Sequence, residues 1–276
     1  ALDNGMIDTE GWRGLRKLAK KDNLRKRLIN QAKLRSYKHT VKYMYGFRIP
    51  RDYAEAVAFD LENGNTLWQD ATKLEMIQMD DYKVFKDMGL FSKNNIPMGF
   101  KKIRVHLVFA VKHDGRHKSR LVADGHLTDI PLESVYAGVV SIRGLRICIL
   151  LSELNEMDAY ATDIGNAYLE TKTQEKVCIK AGPEFGELEG HLLIVYKALY
   201  GLRSSGKQFG DYLADCLKSL GFSQSLAEPQ IFMRLNEQVQ LWEYVAVYVD
   251  DLCIVMKDPE TFLKQLQAPP FNFKLK

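Results

Sequence analysis

Two apolar runs near the end of the chain flank a pair of acidic residues. Residues 245–249 and 252–256 are almost wholly apolar and rich in β-branched side chains, and Asp250 and Asp251 lie between them. Such runs are typical of buried strands. Two strands joined by a short polar connection predict a tight hairpin, which would carry both carboxylates at its tip.

A second hairpin is predicted upstream. Apolar residues alternate with other residues over positions 103–111, and the pair Asp114-Gly115 supplies a turn. Alternation with a period of two is the pattern of a strand with one buried face. The arm after the turn contains Lys118 and Arg120, so this hairpin would offer positive charge to a phosphate group.

The rest of the chain mixes helical and strand patterns. Helical spacing predicts two helices over residues 52–88, with Asn65-Thr66 as the cap of the second and Gly89 as its stop. Further helices are predicted over residues 134–160, over residues 207–220 and after Asp258-Pro259, and further strands over residues 177–180, 192–199, 231–235 and 239–249. Since no regular βαβ alternation appears, the predicted fold class is α+β, with an antiparallel sheet backed by helices.

Asp163 is a candidate third carboxylate, because it ends a short predicted strand just before a turn at Gly165. Adjacent carboxylates that lose hydration repel each other, so a cluster with Asp250 and Asp251 would need a cation. Hard oxygen ligands favour Mg²⁺, and magnesium held by carboxylates beside phosphates is typical of polymerases. The alternative is that these acids are ordinary solvated turn residues.

Basic residues are concentrated near the N-terminus. The chain has a net charge of only +4, yet Asp22 is the single acid between Arg13 and Lys38. Residues 1–47 are interpreted as a basic leader with some helical spacing, distinct from residues 48–276. Such a run suggests a polyanionic partner, and a solvated basic helix face is the alternative.

Composition also argues against two other classes. Charged residues interrupt the longest apolar stretches, so no transmembrane span and no membrane partner are expected. The 4 cysteines lack the spacing of a metal site and lie in apolar sequence contexts. They are interpreted as reduced core residues of an intracellular protein. The N-terminal residues are polar and acidic, unlike a signal peptide, and lack an initiator Met, so the chain is expected to be a piece of something longer.

Five motifs in order resemble those of one family, the reverse transcriptases of copia-type long-terminal-repeat retrotransposons. The similar segments are residues 118–125, 133–143, 162–170 and 199–209 and the box Tyr248-Val249-Asp250-Asp251. Each motif alone is weak, whereas five in the family's order and spacing are specific. One departure is Asp124, which stands where the family usually has Lys.

The resemblance implies a right-hand polymerase, with fingers and palm in residues 48–276 and a chain that ends before the thumb and ribonuclease H. Residues 1–47 would be an inter-domain segment of a polyprotein. The implied activity is RNA-directed DNA polymerisation. Its partners would be a primed RNA or DNA template, deoxynucleoside triphosphates and other segments of the polyprotein. The implied location is intracellular, in a cytoplasmic virus-like particle or the nucleus.

The resemblance also implies roles for single residues. Asp163, Asp250 and Asp251 would be the catalytic residues and the ligands of two Mg²⁺ ions, with Mn²⁺ as an alternative. Lys118 and Arg120 would contact the triphosphate. Tyr168 would be a steric gate against a ribose 2′-hydroxyl, Tyr248 would lie beside the primer terminus, and Arg203 would touch template or nucleotide. The alternative function is a non-catalytic, nucleic-acid-binding relic of a transposon.

Overall fold

The computed structural model describes residues 22–29, 41–130 and 134–276. The chain divides into two units, Ala1–Ile49 and Pro50–Lys276. Of the leader, residues 22–29 form an exposed helix, α1, and the remaining helical spacing predicted there lies outside the described residues. A hairpin of β1 (Lys42–Met44) and β2 (Phe47–Ile49) follows in the first unit.

Two helices open the second unit, as predicted, and the second has a cap residue that the sequence did not indicate. They are α2 (Tyr53–Asn63) and α3 (Leu67–Asp81). The Asp60 carboxylate accepts hydrogen bonds from the backbone N–H groups of Trp68 (3.0 Å) and Gln69 (2.8 Å), so it caps α3 from eight residues upstream. The predicted cap at Asn65-Thr66 is confirmed in part, because the Asn65 side-chain oxygen accepts from the Leu67 N–H at 3.3 Å, whereas Thr66 makes no side-chain cap bond.

The predicted helical stretch up to Met88 is also wrong at its end. Residues Phe85–Leu90 form a strand, β3, which pairs with β9 (His191–Val195). Tertiary pairing overrides the local pattern here, and Gly89 has a φ of 81° within a strand irregularity rather than after a helix. Strands β3, β9, β8 (Val177–Lys180) and β4 (Lys101–Lys102) form one sheet, in which only β4 and β8 run parallel.

The predicted basic hairpin is confirmed as β5 (Val105–Val111) and β6 (His117–Ala123). Burial alternates along β6: Ser119, Leu121 and Ala123 are buried, whereas the residues between them are partly exposed. The buried face packs against α3. The Glu75 carboxylate of α3 accepts a hydrogen bond from the Leu121 N–H at 2.9 Å, which fixes the hairpin on the helix.

A five-stranded antiparallel sheet forms the centre of the second unit, in the order β10-β11-β12-β13-β7. The strands are β7 (Asp158–Asp163), β10 (Ser223–Gln224), β11 (Ile231–Asn236), β12 (Leu241–Tyr248) and β13 (Asp251–Met256). Helices α4 (Ile142–Leu154), α5 (Ser205–Ser219) and α6 (Pro259–Gln267) cover it.

The two faces of this sheet are buried by different helices. Val245 and Ile254 belong to the cluster that contains Phe209 of α5, whereas Ala246 and Val255 cluster with Cys148 of α4. Side chains that alternate between two covered faces explain why residues 245–247 and 252–256 are apolar on both faces. The mixed α+β architecture with helices backing an antiparallel sheet is therefore confirmed.

The helix predicted over residues 134–160 is shorter than expected. Ser141 caps α4 by accepting from the Gly144 N–H at 3.0 Å, and the Val140 N–H donates to Val247 O at 2.9 Å, so the chain before α4 is tied to the sheet. At the other end, Glu156 has a φ of 50°, and β7 begins at Asp158. Among the described residues, none of the helices has both the length and the hydropathy to cross a membrane.

Candidate active site

The backbone brings the three candidate acids to one end of the central sheet. Asp163 ends β7, and Asp251 begins β13 directly opposite it in the ladder. Directly opposed residues share a face, with Cβ atoms about 4.5–5.5 Å apart. Asp250 lies in the turn between β12 and β13, where Val249 has a φ of 58°, and the Ile164 N–H donates to Asp250 O at 2.8 Å.

The charges of these acids act on one another. Burial raises the pKa of the half-buried Asp250 carboxyl, and the negative charges of Asp163 and Asp251 raise it further. Positive charge on Arg120 of β6 acts in the opposite direction on the same pKa. The end of the sheet and the basic hairpin therefore share one electrostatic environment.

Three carboxylates suit hard divalent cations in donor chemistry. Within residues 22–29, 41–130 and 134–276, however, no three His, Cys, Asp or Glu side chains stand close enough together to hold one metal ion. The pairing of β7 with β13 aligns Asp163 with Asp251 at the level of the backbone, and the three side chains are not gathered around one point. The carboxylate oxygens fit the implied ions in donor chemistry.

Residues 274–276 form backbone hydrogen bonds with Asp163 and Gly165. The Lys276 N–H donates to Asp163 O (3.0 Å), the Asp163 N–H donates to Lys276 O (3.2 Å), and the Gly165 N–H donates to Lys274 O (2.7 Å). The Lys276 ammonium lies 3.7 Å from the Asp163 carboxylate. A Cβ on Gly165 would lie only 3.1 Å from the Lys276 Nζ, so glycine suits this position.

Sequence reasoning missed Lys276. The signal was present, since residues 273–276 alternate apolar and basic side chains as an edge strand does. Lys276 supplies positive charge next to Asp163. Nothing in the local sequence indicates that these two distant segments meet.

Lys118 and Arg120 lie on the partly exposed face of β6. Burial lowers the pKa of the Lys118 ammonium, and the nearby charges of Arg120, Lys112 and Lys276 lower it further. Lys118 therefore lies within the field of Lys276, which itself pairs with Asp163. The basic hairpin and the acids thus border one region, in which side chains of both charges lie close together.

Aromatic rings lie between the hairpin and the acids. The Arg120 guanidinium lies over the Tyr200 ring, 4.0 Å from its centroid, and Tyr200 packs against Tyr168 with ring centroids 4.8 Å apart. Tyr168 also contacts Phe209 of α5 in an edge-to-face arrangement. Burial raises the pKa of the Tyr168 hydroxyl, and the negative charge of Asp250 contributes to this rise. Tyr168 therefore lies within the electrostatic influence of Asp250, and its implied role as a gate stays a prediction. Tyr200 is a residue of this region that sequence reasoning missed.

Two glycines allow the segment of Tyr200 to cross the end of β6. The Ala123 N–H donates to Tyr200 O at 2.7 Å. A Cβ on Gly201, whose φ is +90°, would lie 2.1 Å from Ala123 O, and a Cβ on Gly125 would lie 2.0 Å from Gly201 O. Only glycine fits such an approach of two backbones. The motifs of residues 118–125 and 199–209 are thus in direct contact through their backbones.

Arg203 forms hydrogen bonds next to this crossing. Its guanidinium donates to Gly125 O at 3.0 Å and to His126 O at 3.3 Å, and these hydrogen bonds hold the loop after β6. Its implied contact with template or nucleotide stays a prediction. Tyr248 is 53% exposed at the end of β12, opposite Asp251, and its place beside a primer also stays a prediction.

Asp124, the departure from the family pattern, has local partners of its own. Its carboxylate lies 3.1 Å from the Arg104 Nε and 3.2 Å from the His106 Nδ1. An acid at this position is therefore compensated by two neighbouring side chains of the same hairpin region.

The chain is similar in sequence to known proteins. Residues 89–276 match the family described as reverse transcriptase (RNA-dependent DNA polymerase). The retrovirus-related Pol polyprotein from transposon TNT 1-94 of Nicotiana tabacum is 25% identical over 197 residues, which are 67% of this chain and 15% of that protein. The chain thus spans a small part of the relative that it matches.

The family match contains every residue that the sequence nominated, from Lys118 to Asp251. It also contains the residues that the structure adds, Tyr200 and Lys276. Because it covers more than half of the chain, the resemblance noted in the sequence is confirmed, and the chain belongs to the reverse transcriptase (RNA-dependent DNA polymerase) family.

Proposed function

We propose that residues 48–276 form the fingers and palm of a polymerase that extends a primer by nucleotidyl transfer. In this proposal the five-stranded sheet is the palm and the β5–β6 hairpin belongs to the fingers. The primer 3′-hydroxyl loses its proton, and its oxygen forms a bond to the α-phosphorus of a deoxynucleoside triphosphate. The bond between the α-phosphorus and the oxygen that bridges to the β-phosphate breaks, and pyrophosphate leaves. The observation that supports it most directly is the pairing of Asp163 with Asp251, with Asp250 in the adjoining turn.

Asp163, Asp250 and Asp251 would hold two divalent ions, Mg²⁺ or, as an alternative, Mn²⁺. When bound, such ions make a hydroxyl more nucleophilic and neutralise charge on the triphosphate. The raised pKa of the Asp250 carboxyl supports this assignment, because a carboxyl that is partly buried and close to two other negative charges is stabilised by a cation.

The chain's own cations would bind the triphosphate. Lys118 and Arg120 share the partly exposed face of one strand, and Arg120 already acts electrostatically on Asp250. A guanidinium and an ammonium two residues apart can neutralise adjacent phosphate groups from one side. Arg203, which supports the neighbouring loop, would act near template or nucleotide from there.

Tyr168 would discriminate between sugars. Its ring is held on one side by Tyr200 and on another by Phe209, so it cannot swing away freely. A ring fixed in this way beside the acids would exclude a ribose 2′-hydroxyl. Tyr248, exposed next to the acidic turn, would contact the primer terminus.

A transposon origin is part of the proposal, since the tobacco relative is a transposon Pol polyprotein. Residues 1–47 would then connect this part of a polyprotein to a preceding one, and its other segments would be partners. The corresponding locations are a cytoplasmic virus-like particle and the nucleus.

The test is extension of a DNA primer annealed to an RNA template by the purified chain, with Mg²⁺, with Mn²⁺ and with chelator. We expect template-directed extension that requires a divalent ion. Binding of the primed template without extension under any ionic condition would instead favour the non-catalytic relic and contradict the proposal.

A further inference from the structure

One segment of the chain combines an unbroken run of positive charge with exposed rings. Between Asp22 and Asp52 the sequence contains no acidic residue. The basic residues in this interval are Arg25, Lys26, Arg27, Lys33, Arg35, Lys38, Lys42, Arg48 and Arg51. Since the whole chain carries only +4, this interval concentrates cations far above the average of the protein.

The interval ends in the β1–β2 hairpin, whose large side chains are exposed. Tyr43 is 64% exposed, Tyr45 61% and Phe47 40%. Tyr45 and Gly46, with φ values of 51° and 85°, form the two-residue turn, so Tyr45 is at the tip. Single exposed apolar residues are common on protein surfaces, whereas this short hairpin exposes a ring on each of its two faces and another at its tip.

The strand register places rings and cations side by side. Tyr43 is directly opposite Arg48, so the two share one face of the hairpin. Met44 is directly opposite Phe47, and Lys42 lies two residues before Met44, so these three share the other face. Each face therefore combines an aromatic ring with a positive charge.

We propose that this hairpin is a binding surface for single-stranded RNA. Exposed rings stack on unpaired bases without regard to sequence, and neighbouring cations neutralise the phosphates. In a duplex the base faces are covered, so stacking of this kind selects single strands. The choice of RNA over DNA rests on the proposed function, whose template is RNA; the ring and charge arrangement stands apart from the catalytic residues.

The test uses the full chain and a fluorescently labelled, unstructured single-stranded RNA without primer, with affinity measured by anisotropy at several salt concentrations. The double variant Tyr43→Ser/Tyr45→Ser is expected to weaken binding about tenfold or more, since each stacked base contributes about 1–3 kcal/mol. Trp242→Ser is the matched control, because Trp242 is 45% exposed on β12 of the other unit. It should bind as the unchanged protein does.

A second variant separates charge from stacking. Lys42→Gln/Arg48→Gln should make binding less dependent on salt, because each cation that no longer neutralises a phosphate reduces the slope of log affinity against log salt by about 0.7. The unfolding midpoint of each variant is measured in the same buffers, so that a change in RNA affinity is separated from a change in stability.

The proposal is overturned if both double variants bind the RNA as the unchanged protein does, which would assign the surface to a protein partner or to none. It is also overturned if Trp242→Ser loses as much affinity, or if duplex RNA or single-stranded DNA binds the hairpin at least as tightly. An Asp250→Asn protein should retain this RNA binding, so a failure of the catalytic proposal and a failure of this one are distinguishable.

Discussion

At the scale of single residues, Tyr200 lies between two side chains with different proposed tasks. Arg120 covers one part of its ring and Tyr168 packs against another. Replacement of the ring by Leu removes a cation–π interaction of about 0.5–2 kcal/mol. We expect Tyr200→Leu to raise the KM for deoxynucleotides about three- to tenfold with a smaller effect on kcat, because Arg120 loses its support.

The matched control is Tyr200→Phe, which keeps the ring and should retain the original KM. Steady-state extension at varied nucleotide concentration measures both. If Leu and Phe gave the same kinetics as the unchanged enzyme, Tyr200 would be only a packing residue.

The sugar gate is tested at Tyr168. Tyr168→Ala removes the ring that packs against Tyr200 and Phe209, and so opens space where a 2′-hydroxyl would lie. We expect a higher ratio of ribonucleotide to deoxynucleotide incorporation, whereas Tyr168→Phe should leave it unchanged. This ratio is measured by competition between the two nucleotides in primer extension. An equal ratio for Tyr168→Ala and the unchanged protein would refute the gate.

At the scale of elements, the crossing of the Tyr200 segment over β6 depends on glycine. Gly201→Ala would combine a φ of +90° with a Cβ only 2.1 Å from Ala123 O, so the backbone has to move. We expect a loss of stability of several kcal/mol, seen as a lower midpoint in thermal unfolding. Gly210→Ala in α5 is the control: its Cβ meets nothing within 4 Å, and Ala favours helix, so its midpoint should be equal or higher.

Glu75 couples α3 to β6 and makes stability depend on pH. Burial raises the pKa of its carboxyl above 4.5, partly offset by the Leu121 N–H and by the charges of Arg120 and Lys118. The folded state therefore holds the proton more tightly than the unfolded state does, and stability falls as pH rises from about 4.5 through the raised pKa.

Glu75→Gln keeps an oxygen that can accept from Leu121 and removes the titration. We expect the pH dependence of urea unfolding to flatten just above pH 4.5, whereas Glu153→Gln, at an exposed position on α4, should leave it unchanged. An unaltered slope in Glu75→Gln would show that Glu75 is not the group responsible.

Elements with strong local patterns were predictable from the sequence, and those fixed by distant contacts were not. Both hairpins, α5 and the Asp258 cap of α6 follow from periodicity and turn chemistry. Strand β3 and the segment before α4 were predicted as helix because their pairing with β9 and with Val247 cannot be seen in a local window. For the same reason the sequence indicated Asp163 but neither Tyr200 nor Lys276, which reach the site through tertiary packing.

At the scale of the whole molecule, the site is assembled from segments far apart in the chain. The acids come from β7 and the β12–β13 turn, the cations from β6 and the last residue, and the rings from the segments after β7 and before α5. Such a site depends on the fold as a whole, so loss of activity counts only where the fold persists. A variant that keeps its unfolding midpoint and loses extension identifies chemistry rather than stability.

The central claim is that Asp163 and Asp250 act together in nucleotidyl transfer, and primer extension by their Asn variants tests it most directly. Asp158→Asn, at the far end of the same strand as Asp163, is the matched control. We predict that Asp163→Asn and Asp250→Asn each reduce extension about 100-fold or more with unchanged unfolding midpoints, while Asp158→Asn extends normally. Near-normal extension by either variant would contradict the account.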